Sequence, residues 1–456
     1  MKTDRRIIMM LKRILAAVMS AAIILALSSC GKDEPERPEP ELTEDGKKIV
    51  KMYARMAFDT DIYDSIRNFN ARSDEYEVQL TELTVEYGGD GGTEKFNADM
   101  AAGNYPDIFL YNWEGNFPIE SYAQKGLLAN LYDFMDADPD INREDFLESA
   151  LKAYERNGEL YTVVPEFFIY TLVGKTSIVG EQQEITMDRR IELVNEYPDK
   201  PFRVSKNEVL STFVEYGYNS YIDSETGKCR FDNDEFIKLL EFCSQFPEET
   251  EPYGEYDWYD EEYALINGTM PFTAIKIYEF GQIRDLERGT FGEPVTFMGF
   301  PGVGGNGSVI LSFDAKYSIF AKGANPEGAW EFLKYFYSEA YQDKIIENVG
   351  DFPIRKSTLE KLESKSRELI KEYGTNEIVE PFTYVLGNQV TVGINTDEDS
   401  QKIYDLLNGA VAGRGNYNVT DIITEEAAAY FAGQKSAEDV AKIIQNRVQN
   451  YLDENR

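Results

Sequence analysis

Residues 106–111 read Pro-Asp-Ile-Phe-Leu-Tyr, a run that ends in four large apolar or aromatic side chains with no polar alternation. A strand covered on both faces has this composition, and such strands belong to parallel sheets sheltered by helices. Toward the N-terminus, residues 48–54 (Lys-Ile-Val-Lys-Met-Tyr-Ala) alternate as a first strand. Residues 61–71 place Ile62, Ile66 and Phe69 at helical spacing. Residues 76–83 give a second strand, and residues 94–102 a helix stopped by Gly103. Another helix is expected at 122–128. Strands that alternate with helices predict an α/β fold with mainly parallel sheets flanked by helices. The pattern recurs after residue 165 in rougher form, punctuated by Pro198, Pro201, Pro247, Pro252 and the glycines of 302–307. From Pro326 the chain turns strongly helical, at 326–343, 356–373, 398–412, 420–432 and 436–453. Trp330 shares a helical stripe with Phe332, Leu333 and Phe336 and reads as core.

A chain of 456 residues exceeds what one hydrophobic core serves, so two lobes are expected. Lys and Arg number 46 against 82 Asp and Glu, a formal charge of −36. Such a surface repels phosphate backbones and anionic lipid, which argues against nucleic-acid partners and against adhesion through a basic patch. There is no histidine. That excludes Ser-His-Asp and Cys-His mechanisms and histidine-built zinc sites. Cys229 and Cys243 form no C-x-x-C pair; they read as two buried thiols, or as a disulfide in an oxidising compartment. The acidic runs at Asp136, Asp138 and Asp140 and at Asp232 and Asp234 lack the glycine and glutamate of a calcium loop and read as solvated turns. No metal and no cofactor is expected.

The N-terminus reads as an address. Lys2, Arg5, Arg6, Lys12 and Arg13 precede a charge-free run from Ile14 to Leu27, which is short for a membrane span. Leu27-Ser28-Ser29-Cys30 resembles a bacterial lipobox, which implies a signal peptide over 1–29 and a diacylglycerol on Cys30. Residues 30–46 follow as an acidic, Pro-rich tether that cannot build a core.

Several blocks then carry a family likeness. They are Phe-Asn-Ala at 69–71, Ala-Ala-Gly-Asn-Tyr-Pro-Asp-Ile at 101–108, YAQKGLLANL at 122–131 and NGELYTVVP at 157–165. Further on come YALINGTM at 263–270, MGFPG at 298–302, NPEGAWEFLKYF at 325–336, FPIRKS at 352–357 and the C-terminal stretch from Tyr430. In this order the chain resembles the extracellular solute-binding protein family 1, which contains maltose- and oligosaccharide-binding proteins. Glu159 and Thr162 stand where the family carries Lys and Gly, and Pro271 and Phe272 where it carries Ala and Met. The resemblance implies a two-lobed, periplasmic-binding-protein-like fold with the ligand in the cleft. Lobe one would comprise 47–163 and 312–372, and lobe two 166–308 and 373–456. Crossovers would fall near Val164-Pro165, near 310–312 and near 373–390. It implies a monomer that captures a small molecule, a carbohydrate, by hinge closure and passes it to the transmembrane subunits of an ABC permease.

In open α/β sheets ligands sit beyond the carboxyl ends of the strands. This points to Asp59 and Asp61 after the first strand, and to Tyr111, Trp113 and Glu114 after the third. Carboxylates accept hydrogen bonds from sugar hydroxyls, and aromatic faces stack on pyranose C–H faces. The plainer readings are that Asp59 and Asp61 cap the next helix, that Tyr111 and Trp113 are core, and that Glu114 is a solvated charge. In the second lobe the candidates are Glu166 and Phe168 after the crossover proline, Trp258 and Tyr259 in an aromatic-acidic segment, and Tyr278, where the family carries a cleft aromatic. Arg355 reads as a bracing ion pair. Composition leaves open a carboxylate-based glycosidase, a binder of peptide or polyamine, and an adhesive lipoprotein.

Overall fold

The computed structural model describes residues 37–55, 61–83, 91–111, 119–181, 185–197, 199–202, 204–223, 226–249, 258–302, 306–311, 316–347, 351–371, 374, 377–413 and 415–454. The signal peptide, Cys30 and the tether as far as residue 36 lie outside them. The strands of the two principal sheets are β1 (Lys48–Arg55), β2 (Tyr76–Glu82), β3 (Ile108–Tyr111), β4 (Glu166–Lys175), β5 (Thr273–Ile277), β6 (Val295–Phe297), β7 (Val309–Leu311), β8 (Lys316–Ile319), β9 (Phe352–Pro353) and β10 (Val411–Ala412).

The first sheet has the order β8-β3-β1-β2. β2 and β3 both run parallel to β1, and β8 is antiparallel to β3. All residues of β3 are buried, as its unbroken apolar run predicts. The register is pinned by Asp107. Its carboxylate accepts the backbone N–H of Lys51 in β1 at 2.7 Å and that of Asn325 at 2.6 Å. Asn325 in turn caps the helix Pro326–Leu333, with proline at the first turn, where its missing N–H costs nothing. Burial pushes the Asp107 carboxyl above its ordinary pKa, and the backbone donors pull the other way.

The second sheet corrects the expectation of mainly parallel strands in each lobe. Its path is β6-β4-β7-β10, with β5 and β9 also on β4. β5, β6, β7 and β9 all run antiparallel to β4, and among the described residues the one parallel pair of this sheet is β7 with β10. β4 enters from the first sheet and runs against the strands that flank it. Apolar patterning shows that a strand is buried but not which way its neighbours run.

Two large apolar clusters fill the molecule. One joins Val50, Met52, Ile108 and Leu110 of the first sheet to Phe167, Ile169, Ile277 and Ile310 of the second, with Trp330 and Phe332 packed in. The other lies against the opposite face of the second sheet. There Leu172 and Phe272 meet Phe213, Phe236, Phe242, Ile423 and Ile444 from the helices Lys206–Tyr216, Asp234–Cys243, Tyr417–Phe431 and Ala437–Glu454. Cap residues set several helix starts: Ser205 with Glu208 and Thr396 with Asp399 form capping boxes. The helix expected over 356–373 ends at Ser366, and Ile370–Lys371 pairs instead with Ile378–Val379. The helix expected at 122–128 lies at Ile119–Gln124.

Asp138 is not the solvated turn that its acidic run suggested. Its side chain is 5% exposed and accepts the Trp330 indole N–H at 2.9 Å, with the Lys334 ammonium at 3.3 Å. A buried indole N–H needs an acceptor, and this carboxylate supplies it. Cys229 and Cys243 are free and buried. Burial raises the Cys229 thiol to about 11 and the Cys243 thiol well above its usual value.

Replacing Asp107 by Ala strands two buried backbone N–H groups. Urea denaturation is expected to show a loss of about 2–4 kcal/mol, and Asp107→Asn, which keeps one acceptor oxygen, a smaller one.

Candidate ligand-binding site

Among the described residues the chain passes from the first sheet to the second between Val163 and Glu166. Val163 still pairs with Tyr317 of β8, exchanging backbone bonds of 2.8 and 3.1 Å. Three residues later Glu166 opens β4 of the second sheet. In chain order β7 of the second sheet is followed by β8 of the first, and β9 belongs again to the second. The first passage turns at Pro165, whose carbonyl meets an apolar interior. Gln342, 0% exposed, resolves this: its amide donates to Pro165 O at 2.8 Å and to Phe336 O at 2.9 Å. Its own oxygen accepts the Arg355 N–H at 3.1 Å. Arg355 pairs with Asp145 at 3.1 Å and lies 5.5 Å over the Phe146 ring, the brace expected of it.

Beyond the proline, strand alternation gathers a group of side chains on one face. Lys276 of β5 stands opposite Tyr170 of β4, so Phe168, two residues earlier in β4, lies diagonal to Lys276 on the same face. Asp351 precedes Phe352, which pairs with Phe167, so alternation turns Asp351 toward the face of Phe168. The contacts agree. The Lys276 ammonium sits 4.4 Å over the Phe168 ring and 5.3 Å from the Tyr278 ring centre, and meets Asp351 Oδ1 at 2.6 Å. The Asp351 N–H donates to Glu166 Oε2 at 3.1 Å. Phe168 is 0% exposed, yet it belongs to none of the apolar clusters among the described residues. Each such cation–ring contact contributes about 0.5–2 kcal/mol, comparable to a good hydrogen bond.

Of the residues chosen from sequence, Glu166, Phe168 and Tyr278 thus come together. Tyr278 is half-buried, and its N–H donates to Gln282 Oε1 at 2.6 Å. Burial raises its phenol above the usual range, and the neighbouring Glu279, Asp351 and Asp285 carboxylates reinforce this. Burial also raises the Glu279 and Asp285 carboxyls. Tyr111 ends β3 at 1% exposure, stacked on Phe109, with its hydroxyl 3.0 Å from Thr162 Oγ1. It therefore shows no ring face to a ligand here and instead fastens the end of β3 beside the crossover. Phe168 likewise presents its ring to Lys276 rather than to solvent. Trp258 and Tyr259 begin the helix Trp258–Asn267, which is tied to β5 by the Thr273 hydroxyl on Glu261 at 2.6 Å. Asp61 begins the helix Asp61–Arg72. Asp59, Trp113 and Glu114 lie outside the described residues.

Sequence reasoning missed Lys276, Asp351, Gln342 and Lys316. Lys276 had a signal, since a lone lysine two residues before Tyr278 in a strand must share its face. Lys316, buried opposite Tyr111 in the register of β3 and β8, had a weaker one. Asp351 and Gln342 had none, because their partners are remote in sequence. The assembled group joins the buried Phe168 ring, the half-buried Tyr278 ring, the Glu166 and Asp351 carboxylates and one ammonium. Those are the contacts that neutral polyhydroxylated molecules need.

The family model described as bacterial extracellular solute-binding protein matches residues 65–372, more than half of the chain. No curated protein matches the chain. Among solved structures, the sugar-binding protein MalE from the phytopathogen Xanthomonas citri is similar at 14% identity, with a TM-score of 0.57 over 89% of this chain and 98% of that one. An ABC substrate-binding protein from Listeria monocytogenes in complex with cycloalternan gives 14% and 0.53 over 89% and 99%. An ABC transporter solute-binding protein from Thermotoga lettingae bound with α-D-tagatose gives 14% and 0.53 over 89% and 100%. Identities this low show the shared two-lobed fold.

Gln342→Leu keeps the volume and removes the donors to Pro165 and Phe336. Its urea midpoint is expected to fall by the equivalent of about 2–4 kcal/mol, since two buried carbonyls and one N–H lose their partner.

Proposed function

The chain belongs to the bacterial extracellular solute-binding proteins, and from that premise we propose that it captures a sugar or oligosaccharide and hands it to the membrane subunits of an ABC importer. The observation that carries this reading is the aromatic and carboxylate group of Glu166, Phe168, Tyr278 and Asp351, set where the chain crosses between its two sheets. The lobes we infer are 47–163 with 312–372 and 166–308 with 373–456. The described passage from Val163 to Glu166 supports the first of these borders. Ligand held between lobes favours the closed arrangement by its differential affinity for it. Asp59, Asp61, Trp113 and Glu114 supply the opposing jaw in this reading, and Trp258, Tyr259 and Tyr278 the near one. Tyr111 acts by holding the end of β3, not by touching ligand.

The chain works as a binder without turnover, as a monomer tethered to the outer face of the cell membrane by lipid on Cys30. The charge-free run Ile14–Leu27 directly before Ser28-Ser29-Cys30 supports the anchor. Replacing Cys30 by Ser is expected to move the protein from the membrane fraction to the medium. A Cys30→Ser protein that stays with the membrane removes the anchor from this account.

A thermal-shift screen against mono- and oligosaccharides tests the cargo. At least one carbohydrate is expected to raise the melting temperature, because ligand that binds only the folded state stabilises it by mass action. Trp113→Ala should abolish that shift and leave the ligand-free melting temperature nearly unchanged. Stoichiometric binding without product in chromatography separates a receptor from a glycosidase. Silence across the whole panel refutes the carbohydrate reading.

A further inference from the structure

We propose that Lys276 is the resident cation of an aromatic–carboxylate site and that, by filling it, this lysine sets the binding cleft against cationic solutes and in favour of neutral ones. This rests on the solute-binding reading above and deepens it to the class of ligand accepted. Four observations converge. The Lys276 ammonium lies over two rings, at 4.4 Å from Phe168 and 5.3 Å from Tyr278. It is paired with Asp351 at 2.6 Å, and Asp351 is itself held by Glu166 through its backbone N–H at 3.1 Å. The Phe168 ring is fully buried, and the lysine ammonium lies over one of its faces. Glu279 and Asp285 add carboxyl groups next to Tyr278.

Ring faces backed by carboxylates form the chemistry that binds ammonium groups. The formal charge of −36 gathers cations at the surface, so an open cage of this kind would take up amines. A lysine on β5 occupies it without the translational cost that a free cation must meet. An incoming amine has to displace Lys276, whereas a neutral polyol need not compete with it. A bracing ion pair between β5 and β9 would account for the 2.6 Å contact alone. It would not predict that the emptied site accepts a free amine.

The test uses the whole folded chain and needs no knowledge of the natural ligand. Lys276→Ala keeps Cβ and removes three methylenes and the ammonium, leaving a space shaped for n-propylammonium. Lys276→Met removes the charge and keeps the stem. Both variants should melt below the parent. n-Propylammonium chloride should restore about half of the loss in Lys276→Ala and none in Lys276→Met, while sodium chloride at equal ionic strength and n-propanol restore neither. By calorimetry, putrescine should bind Lys276→Ala and not the parent. Should the alanine variant fail to fold, Lys276→Ser carries the same comparison. Equal responses of parent and variants, no response of Lys276→Ala, or putrescine binding by the parent overturns the proposal. A failure here leaves the carbohydrate screen untouched. A silent carbohydrate screen with successful amine rescue instead places the error in the cargo.

Discussion

A chain that leaves one sheet and enters another must carry its backbone through the interior between them. Here the passage turns at Pro165, which has no N–H to give and a carbonyl that needs a donor. Gln342 answers that need from the middle of the helix Glu339–Glu347, while also holding Phe336 O and the Arg355 N–H. One buried amide therefore fixes the crossover, the end of the preceding helical segment and the start of the segment bearing Arg355. The direction in which β4 sets out, and with it the placement of Glu166 and Phe168, follows from this one set of bonds.

The first sheet was largely legible in the sequence. Alternation in 48–54 and the apolar run of 106–111 encode exposure on each face, and exposure is what a parallel βαβ unit fixes. The antiparallel second sheet was not legible, because burial constrains composition and leaves strand direction open. The site divided in the same way. Glu166, Phe168 and Tyr278 came from positions next to a crossover or a strand end, which local pattern marks. Asp351 and Gln342 act through contacts with residues far away in sequence, Lys276 and Pro165, and nothing in their neighbours announces them. Asp138 shows the converse error: an acidic run looks solvated until a tryptophan remote in sequence brings an indole N–H that requires an acceptor.

The site also shows how a fully buried ring can face a partly exposed cation. On β4 the residues facing the larger cluster, Phe167 and Ile169, are buried among aliphatic groups. Their neighbour Phe168 is just as buried but is roofed by an ammonium. Alternation by one residue thus sends Phe167 into one apolar cluster and Phe168 to the opposite face, where an ammonium roofs it while the second apolar cluster covers Leu172 further along the strand.

The larger apolar cluster draws its members from both sheets, from Val50 and Ile108 on one side to Ile169 and Ile310 on the other. Pulling the sheets fully apart would wet that shared interior at roughly 25 cal/mol for each Å² exposed. Rotation between the halves is therefore confined to bending about a dry joint that stays closed. The same continuity couples the halves in melting. Heat should take them apart together, as one calorimetric peak whose van 't Hoff and measured enthalpies agree, although the architecture has two sheets.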